Sequence, residues 1–370
     1  QPVPKHDAFN RAFMRLTPAT LRSVNALLVS AAVAIGLEDG SKLRVDTTVV
    51  ETDIHHPTDN TLLWDVVRLV TRCVGRLANA LELPRIRGFR DRTRSARRRM
   101  QEIQRMTTRQ RHERQSGTYR ALIGIAEEVV ANARIVLERT GKRRGKDIFA
   151  DLAIDESRRQ IAHYCGLGSR VIDQARRRVL DGEQVPTAEK IYSIFEPHTD
   201  LIKRGKVRAP IEFGHKVFLA ESAHGLITQY EVLKGNPADE MHVLPSLQRH
   251  RKAFGRAPEL YGSDRGFFSE QNVAACVRDG VKVVCIPQRG GSKTAERSAY
   301  EKSAAFKSGQ RFRAGIEGRI SVLFRGRGMK RCLAEGIERF ELLVAAAVLA
   351  NNLMTIAALL ERHSRRRKAA

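Results

Sequence analysis

A chain of 370 residues with 42% hydrophobic composition can bury two or more sizeable cores, which excludes wholesale disorder. Lysine and arginine outnumber aspartate and glutamate 66 to 41, a formal net charge of +25, and such an excess points to a polyanion, most simply nucleic acid, with a merely soluble or ribosomal-type basic protein as the alternative. The five cysteines (Cys73, Cys165, Cys276, Cys285, Cys332) are odd in number and lack paired spacing, so reduced, buried thiols in a cytoplasmic protein are expected rather than a disulfide framework or a zinc cluster.

The chain opens at Gln1, and charged residues from Lys5 to Arg11 interrupt any signal-peptide core. A segment upstream is expected, with residues 1–40 the helical remnant of a larger DNA-binding or dimerisation region. Thr17-Pro18 reads as an N-cap and a first helical position, after which Leu21, Val24, Leu28, Ala31 and Ile35 recur at helical spacing. The stretch KLRVDTTVVETDI, residues 42–54, is β-branched and predicts a strand, closed by His55-His56-Pro57 and a Thr58-Asp59 turn signal. From Leu62 to Lys190 the spacing is helical, and residues 66–190 are expected to form a basic helical insertion. Within it, residues 85–114 carry twelve arginines against three acidic residues, a helix basic nearly all round. It is either a solvated charged surface or a phosphate-tracking one, with Arg94, Arg97 and Arg98 as candidate DNA contacts.

The β-pattern returns at 209–222 and 225–235, a hairpin joined at Ala223-His224-Gly225. Asp239 and Glu240 then sit in the first turn of a helix, where the macrodipole favours them. Residues 257–264 form a short strand ending at Asp264, NVAACVRDG a helix, 281–287 a strand, 288–309 a polar loop, and a last helical stretch starts near Arg311. The sum is an α/β fold: a mixed five-stranded sheet flanked by helices, formed by residues 41–65 and 191–361, with 362–370 a frayed basic tail. The apolar run Leu342–Ala350 is too short to span a bilayer.

Three acids stand out by position: Asp46 inside the first strand, Asp264 at the end of a later one, and Glu317 in the following helix. A carboxylate in an apolar strand needs a positive partner, and acids from two strands and a helix would make an oxygen-rich site hard enough for Mg²⁺ or Mn²⁺. Each also has a plainer reading. Asp46 can pair with Arg44 or a lysine, Asp264 can serve the turn Ser-Asp-Arg-Gly, and Glu317 can pair with Arg313 four residues earlier.

Together the stretches RVDTTVVETDIHHPTDNTLLWD, YGSDRGFFS and FRAGIEGRISVLF resemble the DDE transposases of bacterial insertion sequences, in particular the group filed as not classified yet (ISNCY). SIFEPHTDLIKRGK, EFGHKVFLAESAHGLITQYEVLKGNPADE and VAAAVLANNL are similar to that group as well, and the resemblance covers most of residues 40–355. It implies an RNase H-like catalytic domain in which Asp46, Asp264 and Glu317 bind two Mg²⁺ or Mn²⁺ ions. Water would cut the phosphodiester at each element end and the freed 3′-hydroxyl would attack target DNA. It also implies a homodimer or higher synaptic oligomer, a nucleoid-associated location in the bacterial cytoplasm, and no membrane. A nuclease of the same fold without strand transfer, or an inactive DNA-binding derivative, are the alternatives. The related signature around the last acid runs Tyr, Arg, Glu, Lys. Here Arg313 and Glu317 fit, but Gln310 replaces the tyrosine and Phe324 the lysine, with Arg325 the next basic residue. Arg313 and Arg325 join the candidate DNA contacts, and an acid near Asp239 also occurs in such relatives. His55-His56 with Cys73 fits no zinc spacing, His163-Tyr164-Cys165 has no acid partner, and QRGGSK lacks phosphate-loop spacing.

Overall fold

The computed structural model describes residues 5–203 and 211–369. The chain divides into two compact units, one formed by residues 1–53 and 200–370 and the other by 54–199. The helical unit is thus wider at both ends than the 66–190 read from the sequence. Residues 5–40 fall within the sheet unit and are not a separate segment.

The sheet unit is α/β with a mixed seven-stranded sheet. Its elements begin with α1 (His6–Phe13), α2 (Pro18–Ala34) and β1 (Lys42–Thr52). After the helical unit come β2 (Asp200–Lys203), β3 (Ile211–Ser222) and β4 (Ile227–Val232), then α7 (Val243–Phe254), β5 (Leu260–Gly262), α8 (Glu270–Arg278), β6 (Val283–Cys285), α9 (Ala295–Lys302), α10 (Ala304–Gly326), β7 (Arg331–Cys332) and α11 (Ile337–Ala369). The strand order is β2-β3-β1-β5-β6, with β4 also on β3 and β7 also on β1. β3 is antiparallel to β1, β2 and β4, while β5 and β7 run parallel to β1 and β6 parallel to β5.

The five expected strands are two short because β2 and β7, of four and two residues, are too brief to show alternation. The expected loop at 288–309 is overturned for most of its length. Thr294 and Ser303 cap α9 and α10 by accepting from the amides of Arg297 and Phe306, so the final helical stretch begins seven residues before Arg311. The start of the expected strand at Ala209 and Pro210 lies outside the described residues, as does the end of SIFEPHTDLIKRGK. The tail is not a separate frayed end in its backbone, since α11 runs to Ala369.

Alternation along the strands divides the core. On one face Leu43, Val45, Phe218 and Ala220 pack with Val243 and Leu247 of α7 and Cys276 of α8. On the other, Val50, Val217 and Leu219 pack with Leu323 of α10 and Phe340, Val344 and Val348 of α11. α2 lies on α11 through Leu21, Leu342 and Ala345, and the Asn352 amide donates to both Asn25 Oδ1 and Ile227 O at 2.8 Å. Among the described residues one helix, Ile337–Arg365, is long and apolar enough to cross a membrane by length and composition. Here its apolar side chains are divided among the core clusters of the sheet unit.

The helical unit consists of α3 (Asp59–Ala80), α4 (Thr93–Arg105), α5 (Thr108–Thr140) and α6 (Ile148–Ala175), which runs into one π-helical turn, Arg176–Leu180. Its core joins Leu62, Val66, Val70 and Leu77 of α3 to Leu122, Val129 and Ala133 of α5 and Ile154, Ile161 and Val171 of α6. Gly168 allows the close approach of α6 to α3, because a Cβ there would lie 2.8 Å from Val66 Cγ1. α4 is not basic all round: Ala96, Met100 and Ile103 form a buried stripe at i, i+4, i+7, and the arginines occupy the remaining faces.

Candidate active site

β1 carries Asp46 where its neighbours part. β5 pairs with β1 only through Arg44, and β7 joins the same edge only at Glu51. Among the described residues no strand covers that edge between them, and the gap lets side chains from both faces meet. Asp46 points to the α10 face. Its Oδ1 accepts from the Thr47 amide at 2.7 Å and its Oδ2 from Arg313 Nη2 at 3.0 Å.

Asp264 follows β5 by two residues and opens a 3₁₀ turn, Arg265–Phe267, accepting from the Gly266 amide through Oδ1 at 2.8 Å. This is the turn role read from the sequence. Its other oxygen, Oδ2, lies 4.0 Å from Arg313 Nη2. Glu317, one turn along α10 from Arg313, accepts from Arg313 Nη1 at 3.0 Å and leaves 67% of its side chain exposed. All three predicted acids therefore gather on one guanidinium, which is itself only 15% exposed. The i, i+4 pairing of Glu317 is also real, whereas Arg44 pairs with Glu221 and not with Asp46.

Burial, chiefly, pushes the Asp46 carboxyl up to about 6 despite Arg313 beside it, and the negative charges of Asp264 and Asp239 add to the rise. A carboxylate so placed favours an added cation.

Small residues set the helix close to the sheet. A Cβ on Gly309 would lie 2.6 Å from Cys285 Sγ, and one on Gly315 would lie 2.1 Å from Arg44 Nη1. Arg44 in turn pairs with buried Glu221 at 2.7 Å and donates to Phe312 O at 2.6 Å, while Arg319 pairs with the same Glu221 at 2.9 Å. Gln310, at the tyrosine position of the related signature, donates to Cys285 O at 2.9 Å and so ties α10 to β6. Phe324, at the lysine position, packs against the apolar core under β1 and β3. Arg325 is exposed in the last turn of α10. In the helical unit Arg94, Arg97 and Arg98 are exposed on α4 and form no ion pair among the described residues, unlike Arg99, which pairs with Glu102 at 2.8 Å.

The sequence reading gives Asp239 a helix-start role and does not place it in the site. Asp239 opens a 3₁₀ turn, Asp239–His242, ahead of α7, so a helix-start position is correct. Its carboxylate also reaches the sheet, accepting from Thr47 Oγ1 at 2.9 Å and pairing with Lys216 Nζ at 2.8 Å. A cleft of about 300 Å³ is lined by Asp46, Asp239 and Asp264 with Lys203, Lys216 and Asn236. Nothing in the local pattern separates a first-turn acid that faces solvent from one that faces a cleft.

The donor set fits a hard divalent cation: every acid offers oxygen, and a guanidinium already stands among them as a positive charge. As they stand, the three acids surround Arg313 and do not converge on one point. Among the described residues the group whose ligand atoms all lie within 4.8 Å of one another is Glu38, Asp39 and His224. That cluster clamps a loop, since Glu38 accepts from the amides of Asp39, Gly40 and His224 and from Ser222 Oγ. The other groups weighed in the sequence do not assemble. His55 faces Asp65 at 3.3 Å, and Cys73 and Cys165 are buried thiols of the helical core. No family model, no curated protein and no solved structure matches the chain.

Proposed function

We propose that the chain is a DNA transposase of the DDE type. Its RNase H-like unit would cut phosphodiester bonds at the ends of a mobile element and join the freed 3′-hydroxyl to target DNA. One observation carries the reading. Asp46, Asp264 and Glu317, far apart in sequence, all reach the Arg313 guanidinium beside an open edge of the sheet. Support also comes from the elements that bear them: the first strand, the turn just after a strand parallel to it, and a long helix pressed onto the sheet by its glycines.

Asp46, Asp264 and Glu317 would hold Mg²⁺ or Mn²⁺, and two such ions supply the charge that activates an attacking oxygen and steadies a leaving one during in-line displacement at phosphorus. The protein's part is to hold its acids in place. The Thr47 amide fixes Asp46, the Gly266 amide fixes Asp264, and Arg313 offsets their mutual repulsion. The unpaired arginines of α4, with Arg325, attract the DNA backbone without regard to sequence. Two element ends must be cut together, so the working form is a dimer or a higher synaptic oligomer.

The test supplies labelled element-end DNA, a target plasmid and Mg²⁺ or Mn²⁺ to the wild type and to Asp46→Asn and Asp264→Asn. The wild type should give cleaved and then joined product. Each variant should lose at least about a thousandfold in cleavage, of the order of 4 kcal/mol in transition-state stabilisation, while DNA binding changes little. Cleavage without joining would make the protein a nuclease. Cleavage untouched by both substitutions would remove the site altogether.

A further inference from the structure

We infer that Asp239 is a further cation-binding carboxylate of the cleft and that Lys216 is the resident cation it exchanges for the metal ion. The inference rests on the reading of the cleft as a divalent-cation site and departs from it in the identity of the acids. Asp239 lines the cleft together with Asp46 and Asp264, whereas Glu317 is not among its lining residues and is mostly exposed.

The geometry is specific about which oxygen is available. Asp239 Oδ1 is taken twice, by Thr47 Oγ1 at 2.9 Å and by Lys216 Nζ at 2.8 Å. Oδ2 makes no hydrogen bond among the described residues and faces Asp264 across Gly266. A Cβ on Gly266 would lie 3.0 Å from Asp239 Oδ2 and 3.0 Å from Asp264 Oδ1, which puts these two oxygens within about 6 Å of each other. Glycine keeps the space between them clear, and two carboxylate oxygens at that spacing can close on one ion at the 2.0–2.6 Å typical of Mg²⁺ and Ca²⁺ with only small side-chain shifts.

The local fold explains the placement. β3 sets Lys216 opposite Val49 of β1, on the face toward α7. After β4 the chain turns at Gly235, whose φ of 71° suits glycine and whose amide donates to Asp200 Oδ2 at 2.9 Å. Lys216 reaches across and donates to Pro237 O at 2.8 Å, so the ammonium is gripped by the same turn that delivers Asp239. With 12% of its side chain exposed, Lys216 is a cation placed inside an acidic cleft, where it neutralises Asp239 until a stronger charge displaces it.

The experiment titrates Mn²⁺ alone into the full chain and follows binding by calorimetry. Asp239→Asn should weaken the tightest Mn²⁺ site at least about tenfold, as should Asp264→Asn. Lys216→Gln should move it the other way, tightening Mn²⁺ severalfold because the competing ammonium is gone. A residue that only supported the fold would not produce opposite signs from the two partners, and circular dichroism of each variant separates loss of folding from loss of binding. If Asp264→Asn weakens Mn²⁺ but Asp239→Asn and Lys216→Gln leave it unchanged, the inference is overturned and the wider reading survives. If neither Asp46→Asn nor Asp264→Asn alters Mn²⁺ binding, the cleft is not a cation site and both fall.

Discussion

Arg313 serves three carboxylates with one positive charge. Its Nε is buried without a hydrogen-bond partner, so the side chain is held by its acids and not by the surrounding backbone. Removing the guanidinium would leave Asp46 buried with no counter-charge, the costly half of a broken ion pair. Arg313→Gln should therefore lower stability by on the order of 3 kcal/mol in urea denaturation with EDTA present, and added Mn²⁺ should restore much of the loss by binding the folded state. An equal loss with and without Mn²⁺ would mean that the arginine and the ion do not share a place. The three acids were legible in the sequence because each lies within a recognisable stretch of residues. Arg313 was singled out there too, as a candidate DNA contact and the partner of Glu317, but its pairing with Asp46 and Asp264 was not, since an arginine four residues before a glutamate is read first as a helix-surface pair.

At the scale of single elements, α4 shows how charge can mislead about shape. Its arginine run hides a buried stripe of only three residues, Ala96, Met100 and Ile103, and a pattern so thin is easily read as no pattern. The stripe fixes which arginines face outward. Arg94, Arg97 and Arg98 are exposed and unpaired, and substituting all three with glutamine should leave the thermal midpoint nearly unchanged, because no ion pair is lost. If all three meet phosphates, the slope of log affinity against log salt for double-stranded DNA should become shallower by about 3. An unchanged slope would place the DNA on another face. α9 and the first turns of α10 were illegible for a different reason, as Gly290, Gly291 and scattered charges mask two serine or threonine caps that only the fold reveals. Gly309 and Gly315 look like helix weakeners in the sequence, yet each marks where α10 must approach the sheet closely.

For the molecule as a whole, the register of the sheet decides how the helical unit is inserted. Gly214 of β3 is paired with Glu51 on one side and with Asp200 on the other. The chain therefore leaves the sheet after β1 and re-enters it at the same row, two strand spacings or roughly 10 Å away. Gly214 keeps this row tight, because a Cβ there would lie 2.0 Å from Val50 O. Three or four extended residues span such a gap, and a flexible linker of six has an end-to-end distance of about 13 Å. The sheet unit has its own core on both faces, and the helical unit has a separate one. Replacing residues 54–199 with six glycine and serine residues should thus leave a soluble chain with one cooperative thermal transition, while residues 54–199 alone should fold with a strongly helical circular dichroism spectrum. The shortened chain should retain Mn²⁺ binding, whose proposed acids all lie outside the excised segment, and should lose most of its DNA affinity with the α4 arginines. A shortened chain that collapses without a cooperative transition would mean that the helical unit supplies part of the sheet unit's stability, and the sheet unit could not then be treated as folding independently.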